Sequence, residues 1–241
     1  ALLGQVRELN NRVGARVGEY NDEFVNTKLP EVYGYITFLE RELETLRGLS
    51  QVNLQLYQSL VTELAAVKQT YQSALTSGSQ KTPREKEALL ASMNTRLQNL
   101  QPRIASETRR ARQKGLETKI QNAKNKRDSV VQAYKNRMKI VEDNLRWYTA
   151  RFEEIERLAA ILPNDASAEG LLEDARSLLE DYTEYAESLR ELKEDMTALE
   201  NTADPTTEAE ADTLLARATT LGGRSTDIKI PPGVKPGDFT E

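Results

Sequence analysis

The chain has 241 residues, a formal net charge of −5, 38% apolar and 29% charged residues, and neither cysteine nor histidine. Those two absences exclude a disulfide framework, a thiolate nucleophile, a zinc site of the Cys/His type and an imidazole general base. An aromatic share of only 6% suits narrow helical seams under a large solvated surface better than a thick globular core.

Residues 1–28 carry Leu2, Val6, Leu9, Val13, Val17, Tyr20 and Phe24 at near-heptad spacing, which predicts a helix with one apolar stripe. Gly4, Gly14 and Gly18 weaken that helix by about 1 kcal/mol each relative to alanine, while permitting close helix approach. Pro30 either kinks a continuous helix or opens a fresh one at its first turn. The continuous form is the preferred reading; a true turn at Pro30 would instead give a shorter four-helix bundle.

Residues 31–77 repeat the seam through Ile36, Leu39, Leu43, Leu46, Ser50, Asn53, Tyr57, Leu60, Leu64, Val67, Tyr71 and Ala74. Ser50 and Asn53 read as polar seam positions that fix register. Ser77 to Pro83 is a turn, with Thr82 as N-cap and Pro83 at the first helical position. A third helix is predicted over 83–162, interrupted only by Pro102 and softened at Gly115. Its seam thins between 105 and 128. It is strongest at Val131, Tyr134, Met138, Val141, Leu145, Tyr148, Phe152, Ile155, Ala159 and Leu162.

A break at 163–167 precedes a fourth helix over 168–200, with Leu171, Ala175, Leu178, Tyr182, Tyr185, Leu189, Leu192, Met196 and Leu199 on its seam. A short helix is predicted over 206–221, stopped by Gly222 and Gly223. The tail 224–241, with Pro231, Pro232 and Pro236, reads as extended or disordered.

Lengths then imply an arrangement. At 1.5 Å per residue, 1–77 and 83–162 are rods of about 115 and about 120 Å joined by a short turn. The expected fold class is all-α, an elongated antiparallel coiled-coil hairpin with a three-helix bundle at one end, all within a domain spanning 1–200. Residues 1–28, 131–162 and 168–200 would form the bundle, with Trp147 and Tyr148 near Tyr182 and Tyr185 in its core.

Charge is unevenly placed. Residues 103–139 hold twelve Lys or Arg against three acids, a net of +9, and residues 142–213 hold six against twenty-one, a net of −15. Arg109, Arg110, Arg112, Lys114, Lys119, Lys124, Lys126 and Arg127 are therefore the candidate interaction surface. As a solvated helix face, this stretch would be matched in part by Glu31, Glu40, Glu42 and Glu44 across the hairpin. As a functional face, it could meet the acidic segment of a second copy or another protein, or an anionic membrane. Its cations spread around the helix, which weakens the membrane reading. No aromatics interleave them, which disfavours nucleic acid.

Glu153-Glu154 and Glu173-Asp174 are neighbours that point in different directions on a helix, so they make no carboxylate dyad. No glycine-rich phosphate loop is present. The expectation is a non-enzymatic structural or scaffolding coiled-coil protein, without metal or cofactor, that self-associates as a homo-oligomer or filament or bridges protein partners. The alternative is a peripheral membrane-binding or membrane-remodelling rod that uses 103–139. A secreted helical stalk also fits the composition. No apolar run nears the ~20 residues of a membrane span, so the chain reads as soluble. It opens on Ala1 rather than Met, which points to a processed chain or a fragment.

Overall fold

The computed structural model describes residues 2–231, and among these the chain is all-α, with helices and turns and no strand. It divides into two compact units, residues 1–115 and 116–241. Of the predicted tail, residues 232–241 lie outside the described residues.

In the first unit, Pro30 does not end the helix. α1 (Leu2–Glu23) passes through one π-helical turn (Phe24–Lys28) straight into α2 (Leu29–Arg47). The Leu29 N–H bonds the Phe24 carbonyl, five residues back rather than four. That wider turn lies just ahead of the pyrrolidine ring. It makes room where a tight α-turn would drive the ring into the preceding carbonyl.

The predicted continuity of 31–77 fails instead at Gly48–Asn53. α2 ends at Arg47, and α3 (Leu54–Ser77) starts from Asn53, whose side chain accepts the Leu56 N–H at 3.1 Å. Asn53 is thus a helix cap rather than a seam residue, and its preference for that role outweighs the unbroken apolar spacing. The chain reverses there. Tyr33 stacks on Tyr71 at 5.6 Å between ring centroids, and Glu40 pairs with Lys68 at 2.6 Å, an antiparallel register.

α4 (Pro83–Ala159) begins with the expected cap: Thr82 accepts the Glu85 N–H at 3.3 Å, and Glu85 accepts the Thr82 N–H at 2.7 Å. Pro102 lies inside α4 on an exposed position without ending it. The first part of α4 returns along α3, pairing Arg103 with Glu63 at 2.6 Å. α2, α3 and this part of α4 therefore make an up-down-up three-helix bundle. Its core is built from Phe24, Leu29, Ile36, Leu39, Leu46, Leu60, Val67, Met93, Leu97, Leu100 and Ile104, each essentially inaccessible. Fully burying such side chains stabilises by about 1.5–3 kcal/mol apiece. At the α3–α4 turn the bundle ends against Phe24, where a Cβ on Gly78 would stand 3.0 Å from the ring. Buried Lys86 covers the same ring, its ammonium 5.3 Å from the centroid and hydrogen-bonded to Asn21.

The second unit is built on α4 from Leu116 onward. α5 (Ala166–Arg190) starts from Asp165, which caps the Ser167 and Ala168 N–H groups, after Asn164 takes the left-handed conformation at φ 66°. α5 and α6 (Lys193–Glu200) run antiparallel to α4, as the Tyr148–Tyr182 ring pair at 5.0 Å and the Lys135–Glu200 pair at 2.5 Å record. α7 (Glu208–Asp227) runs parallel to α4, from Lys119 beside Glu208 to Arg137 beside Ser225.

The third helix beside this part of α4 is thus α7, which replaces the expectation that residues 1–28 take that place. α7 also continues through Gly222 and Gly223, six residues past the predicted stop at 221. A Cβ on Gly222 would lie 3.0 Å from Val130 Cγ2, so this glycine serves close helix approach rather than termination. Leu192, Met196, Leu199, Ala211, Leu214, Ala218 and Leu221 pack there on Ala123, Val130, Val131 and Tyr134.

Candidate interaction surfaces

The eight candidate cations fall into two groups. Arg110 is committed to the first unit. Its guanidinium binds the carboxylate of Glu107, which is only 3% exposed, and donates to the Gln51 carbonyl at 3.2 Å. Glu107 in turn accepts the Asn53 N–H at 2.9 Å, so the pair fastens the Gly48–Asn53 turn to α4. The hydrogen bond from Arg110, with that from Asn53, holds the Glu107 carboxyl below its ordinary range despite burial. Arg109, Arg112 and Lys114 are exposed.

In the second unit, Lys119 pairs with Glu208 and, at 3.7 Å, Asp212. Lys124 reaches Asp204 at 2.7 Å. Arg127 meets Asp128 at 2.8 Å, Asp204 at 3.0 Å and the Thr202 carbonyl at 2.9 Å. Hydrogen bonds from Lys124 and Arg127 lower the Asp204 carboxyl. Lys126 is exposed.

The acids outside this stretch that answer its candidate cations are therefore Asp204, Glu208 and Asp212, not the predicted glutamates of α2. Glu40 serves Lys68 instead, and Glu44 lies 3.7 Å from Arg47. The sequence signal for this was the acidic run at 204–212, directly after the turn that sends α7 back along α4.

The aromatic group assembles at the expected register, but Trp147, expected in the core, is 42% exposed at its edge. Tyr182 and Tyr185 are 2% and 5% exposed, 5.5 Å apart, with Trp147 edge-on to Tyr148 at 5.3 Å. Burial pushes the Tyr182 phenol up. Arg137 stacks on Tyr185, donates to its hydroxyl at 2.9 Å, and also donates to the Ser225 and Ile228 carbonyls. It fastens the end of α7 to the core.

Among the described residues, two apolar faces are bare. Not one residue of α1 is buried, although Leu2, Val6, Leu9, Val13 and Val17 repeat at helical spacing; Leu2 is 78% exposed. The stripe is continuous with the core face that begins at Tyr20 and Phe24, and beyond that level α4 borders it with Pro83, its first residue. Arg12 and Arg16 flank it, lining one groove with Leu9, Val13, Val17 and Tyr20.

The second bare face is the end of the α4–α5 hairpin. There Ile155, Leu158, Leu162 and Leu171 line a groove, with Leu162 54% exposed. α6 and α7 cover α4 lower down, but the hairpin end has two helices where the rest of the unit has three. Among the described residues no helix is long and apolar enough to cross a membrane, and no group of three or more His, Cys, Asp or Glu could hold a metal ion.

No family model matches the chain, and no curated protein or solved structure matches it.

Proposed function

We propose that the protein is a non-enzymatic scaffold that works by helix–helix association. The observation that carries this reading is α1: a 22-residue helix with a regular apolar stripe and no buried residue. An isolated helix of such length is marginal in water and gains most of its stability from packing its apolar face. A stripe maintained over about four turns is therefore a surface for another helix. Contiguous apolar exposure of this kind marks interaction sites.

The basic stretch adds less than its charge count implied. Lys119, Lys124 and Arg127 are engaged by acids of the same chain, and Arg110 by Glu107. This favours protein association over an anionic membrane as the role of the protein. Arg109, Arg112 and Lys126 are the cations to reverse in testing the membrane alternative, because reversing Arg110 would also open the Gly48–Asn53 turn.

Sedimentation velocity of the full chain across micromolar concentrations tests the proposal. Association is expected, and V6E/V13E is expected to abolish it. A V6E/V13E variant that associates like wild type would remove α1 from the role. Co-sedimentation with anionic vesicles that R109E/R112E/K126E abolishes would support the membrane alternative in its place.

A further inference from the structure

We infer that α1 of one copy seats in the groove at the end of the α4–α5 hairpin of a second copy, completing there a three-helix bundle. This rests on the scaffolding reading and names the partner.

Each surface lacks what the other offers. α1 is a single helix with an uncovered apolar stripe, and the hairpin end is a helix pair with an uncovered apolar groove. Elsewhere in both units, helix pairs of this chain are covered by a third helix: α2 in the first, α7 in the second. Lengths agree too. The stripe from Leu2 to Val17 spans about 22 Å, and α5 from Ala166 to Tyr182 about 24 Å.

Charge selects this pairing over the symmetric ones. Residues 2–18 hold three arginines (Arg7, Arg12, Arg16) against Glu8, a net of +2. The hairpin end, residues 149–175, holds two arginines against seven acids, a net of −5, with Glu169, Glu173 and Asp174 on α5. An antiparallel α1–α1 pair centred on Val13 would bring Arg12 and Arg16 of both copies together beside the seam. Two hairpin ends facing each other would oppose two clusters of like sign. Opposite charge flanking the apolar contact steers α1 to the groove and suppresses both alternatives. The two patches differ, so the contact is heterologous. A joined pair keeps one free α1 and one free groove, and growth continues until a ring closes or a filament forms.

Complementation between two full-length variants tests this. V6E/V13E disables the helix, and L158E/L171E disables the groove at positions that are already solvent-exposed in the chain. Wild type is expected to grow in size with concentration, and each variant alone to be monomeric by sedimentation velocity. An equimolar mixture is expected to give a one-to-one dimer that grows no further, since it joins one intact α1 to one intact groove. The mixed dimer also shows that both variants are folded. R12E/R16E is expected to weaken wild-type assembly roughly tenfold, about 1.4 kcal/mol, and E169R/E173R to restore it.

If L158E/L171E assembles like wild type while V6E/V13E does not, α1 pairs with itself: this inference fails and the scaffolding reading stands. If the variants are monomeric but their mixture forms no dimer, the heterologous contact is likewise overturned. A wild-type chain that stays monomeric overturns self-assembly. If V13E then also leaves its thermal unfolding and helix content unchanged, α1 covers no groove of its own chain either.

Discussion

α1 and α2 lie on one continuous helical path and carry apolar residues at the same spacing, yet six side chains of α2 are buried and none of α1. The difference is entirely in the neighbours. α3 and α4 flank α2 from Phe24 onward, while Leu2 to Val17 run past the turn where those two helices meet. A periodic stripe therefore specifies a face that wants cover. Whether the chain itself supplies the cover depends on where other helices end.

The largest test of this comparison sets a core residue against a stripe residue. Leu39→Ala in α2, at a fully buried position, should cost about 3 kcal/mol in urea unfolding. Val13→Ala, at a position 52% exposed, should shift the monomer by no more than about 0.5 kcal/mol. Equal costs would mean that α1 is covered in solution even when monomeric.

Next comes the fastening of the Gly48–Asn53 turn, which makes α2 a covered helix at all. Glu107→Gln leaves the Asn53 N–H and the Arg110 guanidinium poorly answered, and should cost about 2 kcal/mol near neutral pH. The folded carboxyl lies below its unfolded value, chiefly through Arg110. Its stabilisation is thus present above the ordinary carboxylate range and lost as pH falls through the depressed folded value. Acid unfolding followed by circular dichroism should show that loss in wild type and not in the variant.

Glycines give the third contrast, with opposite signs. Gly14→Ala in α1 meets open space and should raise helix stability by about 0.5–1 kcal/mol. Gly222→Ala in α7 presses its new methyl on Val130, a stiff β-branched side chain, and should destabilise by about 1 kcal/mol. The smallest effect belongs to the pairs of Asp204, whose own side chain is half-exposed. Asp204→Asn should lower the thermal midpoint only slightly, and the difference should vanish in high salt.

Much of this was legible along the chain. Thr82-Pro83 announced the start of α4, and the seam from Val131 announced its register with Tyr182. The Gly48–Asn53 reversal was not read, because Leu46, Asn53 and Tyr57 keep three-four spacing straight across it. A glycine that ends a helix and an asparagine that caps the next were nonetheless both present, five residues apart. The end of α7 failed for the complementary reason: glycine signals a stop locally, but Val130 needs a residue without a Cβ at Gly222.

What the sequence determined by itself is local: which stretches are helical, where capping side chains can satisfy free N–H groups, and which face of each helix is apolar. These follow from interactions within a few residues. Only the tertiary structure decided which stripes find cover, that α7 rather than α1 completes the bundle on α4, and that Asp204, Glu208 and Asp212 take up Lys119, Lys124 and Arg127. The bare stripe of α1 depends on the turn at Gly48–Asn53. That turn shortens the rod, returns α3 onto α2, and leaves α1 extending beyond its neighbours with its apolar face bare.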